Sequence, residues 1–264
     1  MTKASESGHW YDRDGTPRYT IIGKNGKERP TTLRDAREHG YVVSVTGITG
    51  QLDKPALVNW KIDQAILASL TLQRLEGEYE ESWLERVRED AKETGINAAS
   101  EGTKIHAAIQ AFYEGETVSA YVDHVIGAEK ALDAMYGRQK WICEASFAHP
   151  LGFGGKSDLH LKPCEDFPLG LVVDIKTKEF DDPSKVAGWD DQLWQVAAYR
   201  EGLGIPKAPC ANLWVSRTVP GLAVICGKKH DIPSWTPEEL DWGWACFSKL
   251  VEFWKIKNKY EVKS

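Results

Sequence analysis

Three short runs decide how this chain folds: KWICEASFA (140–148), GGKSDLHLK (154–162) and GLVVDIKTK (170–178). Each has the length and residue types of a strand, and no helical stretch separates one from the next. Sequential strands joined this directly pair as an antiparallel meander. Ahead of them, amphipathic patterns predict helices at 99–114 and 119–137. Behind them come a helix at 187–203, strands at 211–217 and 221–227, and a Trp-rich helix at 236–257. The order α-β-β-β-α-β, with a helical extension at each end, predicts a mixed α/β domain whose helices cover the sheet.

The N-terminal third carries turn signals and helical ones together. Asp14-Gly15 and Asn25-Gly26 flank RYTIIGK and predict a β-ribbon over 9–30. Thr32 opens a short helix through Glu38 that Gly40 ends. YVVSVTGI (41–48) reads as extended. Asp53 reads as an N-cap with Pro55 in the first turn of a helix running to Leu72, and a charged helix follows at 79–94. The expected organisation is therefore a β-ribbon and helical extension over 1–97, packed on a core over 98–264 that ends in a helix.

The chain of 264 residues is 42% hydrophobic and 27% charged, ordinary values for a globular protein. No window holds the roughly 20 apolar residues that span a bilayer, and the first residues form no apolar leader, so a cytoplasmic protein without membrane partners is expected. Cys143, Cys164, Cys210, Cys226 and Cys246 are scattered and form no C-x-x-C pair, which speaks for reduced thiols and against a thiolate-held metal. The net charge of −6 does not exclude a nucleic-acid partner, because attraction to phosphate depends on local fields. Arg13 to Arg37 and the run WKIKNKYEVKS are locally basic; each reads first as a solvated face and only permits DNA binding.

In LVVDIKT (171–177) side chains alternate, so Asp174 and Lys176 share one face while Val173 and Ile175 share the other. The two residues lie roughly 7 Å apart along a strand. That suits a divalent cation on the carboxylate with an ammonium beside it, although an isolated D-x-K also reads as an edge-strand ion pair. The preceding strand adds Asp158 on the face opposite Leu159 and Leu161. If the strands pair, two carboxylates converge, and a hard cation is the usual remedy for their repulsion. Gly102 and His106 stack one turn apart beside the apolar stripe Ile105, Ile109 and Phe112, while Gln192, Gln195 and Tyr199 line one face of the later helix. Taken singly, the histidine reads as structural and the polar stripe as solvated.

Taken together, Gly102/His106, Gly155/Asp158, Asp174/Lys176 and Gln195/Tyr199 resemble the PD-(D/E)XK nuclease superfamily, in its RecB-like and phage-exonuclease branch. The motifs occur in family order and the resemblance covers about 99–217. SVTGITGQLDKPALVNW also looks like the region before the core in phage members. Asp174 stands where Glu is commoner, and the cysteine cluster of the iron–sulfur relatives is absent. The resemblance implies a restriction-endonuclease-like αβββαβ core and a metal-dependent DNA exonuclease of phage-type recombination or replication that leaves 5′-phosphates. It implies Mg²⁺ or Mn²⁺ held by His106, Asp158, Asp174 and the Ile175 carbonyl, with Lys176 orienting the nucleophile. Glu144 is a candidate ligand for a second metal, and Gln192, Gln195, Tyr199 and Lys178 are candidate DNA-binding or supporting residues. Trp60, Trp189 and Trp194 read as base-stacking groups or as core. Implied partners are DNA and a single-strand annealing or single-strand binding protein, in a host bacterium's cytoplasm, with an oligomer allowed. The alternatives are a structure-specific endonuclease on the same scaffold and a non-catalytic DNA-binding or assembly module.

Overall fold

A computed structural model describes residues 9–261. The meander is present as β5 (Ile142–His149), β6 (Phe153–Leu161) and β7 (Leu171–Lys178), antiparallel in sequence. β8 (Cys210–Ser216) then pairs parallel to β7 along its length, and β9 (Ala223–Cys226) closes that edge antiparallel to β8. The parallel step requires a crossover, which α6 (Asp190–Gly202) supplies. β8 is buried from end to end, as a strand covered on both faces must be.

The N-terminal region enters the sheet instead of only packing on it. β1 (Trp10–Tyr11) pairs with β4 (Val42–Ser44), and β4 pairs parallel to the start of β6 through Val43–Phe153 and Ser44–Gly154. The ribbon expected over 9–30 is thus divided: β2 (Thr20–Ile22) and β3 (Glu28–Pro30) form a separate hairpin across Asn25-Gly26. The Asp14-Gly15 turn folds the chain back so that Pro17 bridges Tyr11. α1 (Leu33–His39) begins at Thr32 as expected. Its capping box pairs Thr32 with Asp35, and Gly40 ends it at φ 74°. The extended run expected over 41–48 stops at Ser44, whose hydroxyl accepts from the Gly47 N–H and starts the short helix α2 (Val45–Thr49). α3 (Pro55–Thr71) opens one residue later than expected, at Lys54 without a side-chain cap.

The two helices expected at 79–94 and 99–114 are one, α4 (Glu80–Tyr113). Gly95 does not break it, and the Trp60 ring packs over it. The expected boundary at 97/98 therefore falls inside a helix. α4 and α5 (Val122–Tyr136) cover one face of the sheet, with Ile105, Ile109, Val125 and Leu132 against Leu159, Val173, Ile175 and Leu213. α2, α6 and α7 (Pro237–Lys257) cover the other, with Val196, Phe247 and Val251 among the residues packed with Phe153 and Val172. Phe147 lies against Gly155 and Gly202, where any Cβ would collide with its ring, and its edge meets Tyr199 at 6.0 Å between centroids. No helix among the described residues is long and apolar enough to cross a membrane.

Candidate active site

β6 has two neighbours on one edge and one on the other. β5 runs along one edge from Phe153 to His160, so β4 and β7 must share the opposite edge, β4 at Phe153–Gly154 and β7 at Leu159–Leu161. Between them the edge of β6 is open, and Asp158 stands at the fork. The ladder to β7 ends at Leu159–Val173. One residue further, the Asp158 carboxylate itself accepts the Ile175 N–H at 2.7 Å. Side chains from both helical layers meet at this opening.

From the α4 layer, His106 brings Nδ1 to 3.9 Å from Asp158. Its helix can approach because Gly102 lies on Thr177: a Cβ there would sit 2.5 Å from the Thr177 hydroxyl. From the α6 layer, Gln195 accepts from Lys176 Nζ at 3.1 Å and donates to the Tyr199 hydroxyl at 2.7 Å. Lys176 also pairs with Asp174 at 2.6 Å, as side chains two apart on one strand face can. His106, Asp158, Asp174, Lys176, Gln195 and Tyr199 are thus brought together, with the Ile175 backbone beside them.

Burial and charge set the protonation of the group. Burial and the neighbouring Asp174 push the Asp158 carboxyl up to about 8. Burial acts on Lys176 in the direction of the neutral amine, but the Asp174 and Asp158 charges outweigh it and hold the ammonium above its ordinary value. Burial, then the Lys176 charge, lowers His106 to about 4, so its imidazole is neutral at physiological pH. Burial and the two carboxylates keep the Tyr199 phenol protonated.

Three candidates are engaged otherwise. Glu144 is opposite Asp158 in the β5–β6 register, at a left-handed φ of 53°, but its carboxylate pairs with Lys156. Gln192 turns back to accept the Trp189 N–H at 2.7 Å and so caps α6 instead of facing the site with Gln195. Lys178 is at the strand end and donates to the Lys185 carbonyl at 3.4 Å. Of the tryptophans, Trp189 is exposed, Trp60 packs on α4 and Trp194 meets Trp242 edge to face. The basic stretches are partly spent internally, Arg29 on Asp35 and Arg18 on Asp12.

One residue is added by the structure. Asn212, wholly buried in β8, donates to Asp174 Oδ2 at 2.9 Å and accepts from the Trp235 indole N–H at 2.9 Å. An Asn inside the otherwise apolar run CANLWV is the signal that sequence offered for it.

No family model matches the chain, and no curated protein matches it. A solved structure described as "Crystal structure of SSO0001" is similar over 60% of this chain and 86% of its own, at 10% identity and a TM-score of 0.28. A likeness at that level carries no argument about fold family or activity.

Proposed function

We propose that this chain is a metal-dependent nuclease of the PD-(D/E)XK type, hydrolysing DNA phosphodiesters to 5′-phosphate products and acting from DNA ends. The observation that carries the reading is the convergence of Asp158, Asp174 and Lys176 at an open strand fork, with His106 and Gln195 arriving from opposite helical layers. A structural ion pair does not require two helices to contribute polar groups to one opening. The element order helix, three antiparallel strands, helix, parallel strand supports the same reading.

The donor set fits a hard divalent cation. Among the described residues no three His, Cys, Asp or Glu side chains already form a group that could hold a metal; Asp174 is paired with Lys176 and Asn212. The fit rests on the donor set at the fork, where His106 Nδ1 lies 3.9 Å from Asp158 and Asp158 is held beside the Ile175 backbone. Two carboxylates and a neutral imidazole without thiolates suit Mg²⁺ or Mn²⁺. His106, Asp158, Asp174 and the Ile175 carbonyl would hold it. When bound, such an ion supplies Lewis acidity toward the phosphate and lowers the pKa of a water.

The remaining roles belong to the chain. Lys176 offers a compact ammonium, fixed by Gln195 and Asp174, to negative charge developing on the phosphate. Gln195 is held in turn by the Tyr199 hydroxyl, which stays protonated and lies against Phe147. Asn212 fixes which Asp174 oxygen faces Lys176. The Ile175 N–H holds Asp158 in the fork.

The test is end-labelled linear duplex, single strand and covalently closed circle, each with Mg²⁺, Mn²⁺ or EDTA. Cleavage from the ends of linear DNA with either ion, absent in EDTA and in Asp158→Asn, is expected. Full turnover in EDTA overturns the metal mechanism. Cutting of closed circles transfers the reading to an endonuclease, and DNA binding with no cleavage under any condition reduces the chain to a binding module.

A further inference from the structure

Lys156 and Asp158 are the only positions of β6 that are not fully buried, and both belong to the stretch of its edge that neither β4 nor β7 covers. Lys156 pairs with Glu144, which sits in β5 at a left-handed φ of 53°. A residue other than glycine adopts that backbone at a cost. The pair is not needed to join the strands, because the β5–β6 ladder already runs on both sides of it, through Cys143–Leu159 and Ala145–Ser157. The bent backbone instead sets a carboxylate against the Lys156 ammonium and so holds it beside the fork. The N-terminal segment completes the cluster. A Cβ at Gly154 would lie 2.8 Å from the Tyr11 ring, so this glycine lets Tyr11 lie on β6. The Tyr11 and Tyr19 hydroxyls are 2.8 Å apart, and the His9 ring rests on Tyr19 at 4.5 Å between centroids.

We propose that Lys156, with the Tyr19 hydroxyl beside it, binds the DNA phosphate next to the scissile one, which makes Lys156 a substrate-positioning residue. The inference rests on the nuclease reading of the fork. Its first support is the chemistry left unspent. Two phenols that share one hydrogen bond keep one proton to give; Tyr11 is buried and Tyr19 part-buried, which leaves that proton on Tyr19. The Lys156 ammonium has three N–H donors and a single partner among the described residues, so two remain. Burial works against its charge, but Glu144, Tyr19 and Asp158 outweigh burial and hold the ammonium above its ordinary value. A set of unspent donors takes an anion, and its side chain, 34% exposed, is open to one. The second support is spacing. Lys156 and Asp158 are two residues apart on one strand, roughly 7 Å. Neighbouring phosphates along a nucleic-acid strand are separated by a step of the same size, so a strand whose scissile phosphate lies at Asp158 brings the next one to Lys156.

The test is binding of a short linear duplex by the full chain with Ca²⁺, a hard cation with the same preference for oxygen, in place of Mg²⁺. Binding is repeated with each phosphate near the end replaced singly by an uncharged methylphosphonate. In the wild type the replacement beside the scissile position should weaken binding about tenfold, the scale of one charged hydrogen bond. Lys156→Ala should lose the same factor on unmodified DNA, lower the slope of log affinity against log salt by about one, and respond no further to that replacement. Tyr19→Phe should lose less, at the same phosphate. A variant that is merely misfolded would weaken binding while remaining sensitive to every replacement. Wild-type affinity in Lys156→Ala, or a loss to which the methylphosphonate still adds in full, overturns the inference. Cleavage from DNA ends without this coupling overturns the phosphate contact alone. Coupling at one phosphate without cleavage in Mg²⁺ upholds the contact and overturns the nuclease reading.

Discussion

Lys176 is fixed by one acid that holds its charge and one amide that fixes its direction, so its replacement separates charge from placement. Under the proposed nuclease function, Lys176→Ala should slow single-turnover cleavage at least about a hundredfold, the scale for one preorganised charge-stabilising group. DNA affinity, spread over many phosphate contacts, should change little. Lys176→Arg should not restore the rate, because a broad guanidinium cannot occupy the place of a compact ammonium. Cleavage near the wild-type rate in Lys176→Ala would remove this residue from the site. Asn212→Ala should cost about 1–3 kcal/mol in chemical denaturation, since it strands the buried Trp235 N–H and leaves Asp174 Oδ2 with Lys176 alone. A smaller loss would mean that neither group depends on it. The difference between these residues also measures what could be read from the sequence. Asp174 and Lys176 share a strand, and alternation alone placed them on one face. Asn212 reaches Asp174 only because β8 pairs with β7, a neighbour relation that local periodicity does not encode. Gln192 had the right helical spacing but lies in the first turn of α6, where unpaired backbone N–H groups compete for its side chain.

At the scale of elements, the approach of α4 to β7 depends on the missing side chain at Gly102. Gly102→Ala brings a methyl group to 2.5 Å from the Thr177 hydroxyl and should destabilise the protein by about 1–3 kcal/mol through overpacking. It should also pull His106 away from Asp158. Thr177→Ala should relieve most of this, so a double-mutant cycle with strong coupling is expected, and additivity would show that the two residues do not press on each other. The meander and its flanking helices were legible because strands and helices announce themselves by period. The single 34-residue α4 was not: its two halves read as separate patterns, yet a lone Gly95 costs a helix only about 1 kcal/mol and does not end it. Nor was the role of β4 legible, since three residues carry too little pattern to name a partner more than a hundred residues away.

For the whole molecule, the carboxylates at the fork tie stability to pH and, under the proposed function, to metal. The Asp158 carboxyl rises from an ordinary value of 3.8 in the unfolded chain to about 8 in the folded one. The folded state therefore holds the extra proton. Its contribution is fully present below about 4 and is lost as pH rises through about 8. In metal-free protein the thermal midpoint of the wild type should fall relative to Asp158→Asn across that window, and millimolar Mg²⁺ should narrow the gap at the alkaline end. Asn is the informative replacement because it still accepts the Ile175 N–H. A difference independent of pH would show that the carboxylates do not repel.

Tyr260 sets the order in which this molecule can be completed. Its hydroxyl donates to the carbonyls of Ala36 and Tyr41, and its ring joins Trp254 against Trp10. The loop that delivers β4 to the sheet is thus latched by a residue made more than two hundred positions later. On the ribosome the N-terminal strands emerge early, yet they cannot be sealed until the last helix has left the exit tunnel. Until β6 emerges β1 and β4 present open edges to whatever is nearby, and until Tyr260 follows they pair without their latch. Sealing of this segment should therefore come late. Nascent chains stalled before Tyr260 should stay protease-sensitive at Trp10–Ser44, and Tyr260→Phe should loosen that segment first in hydrogen exchange.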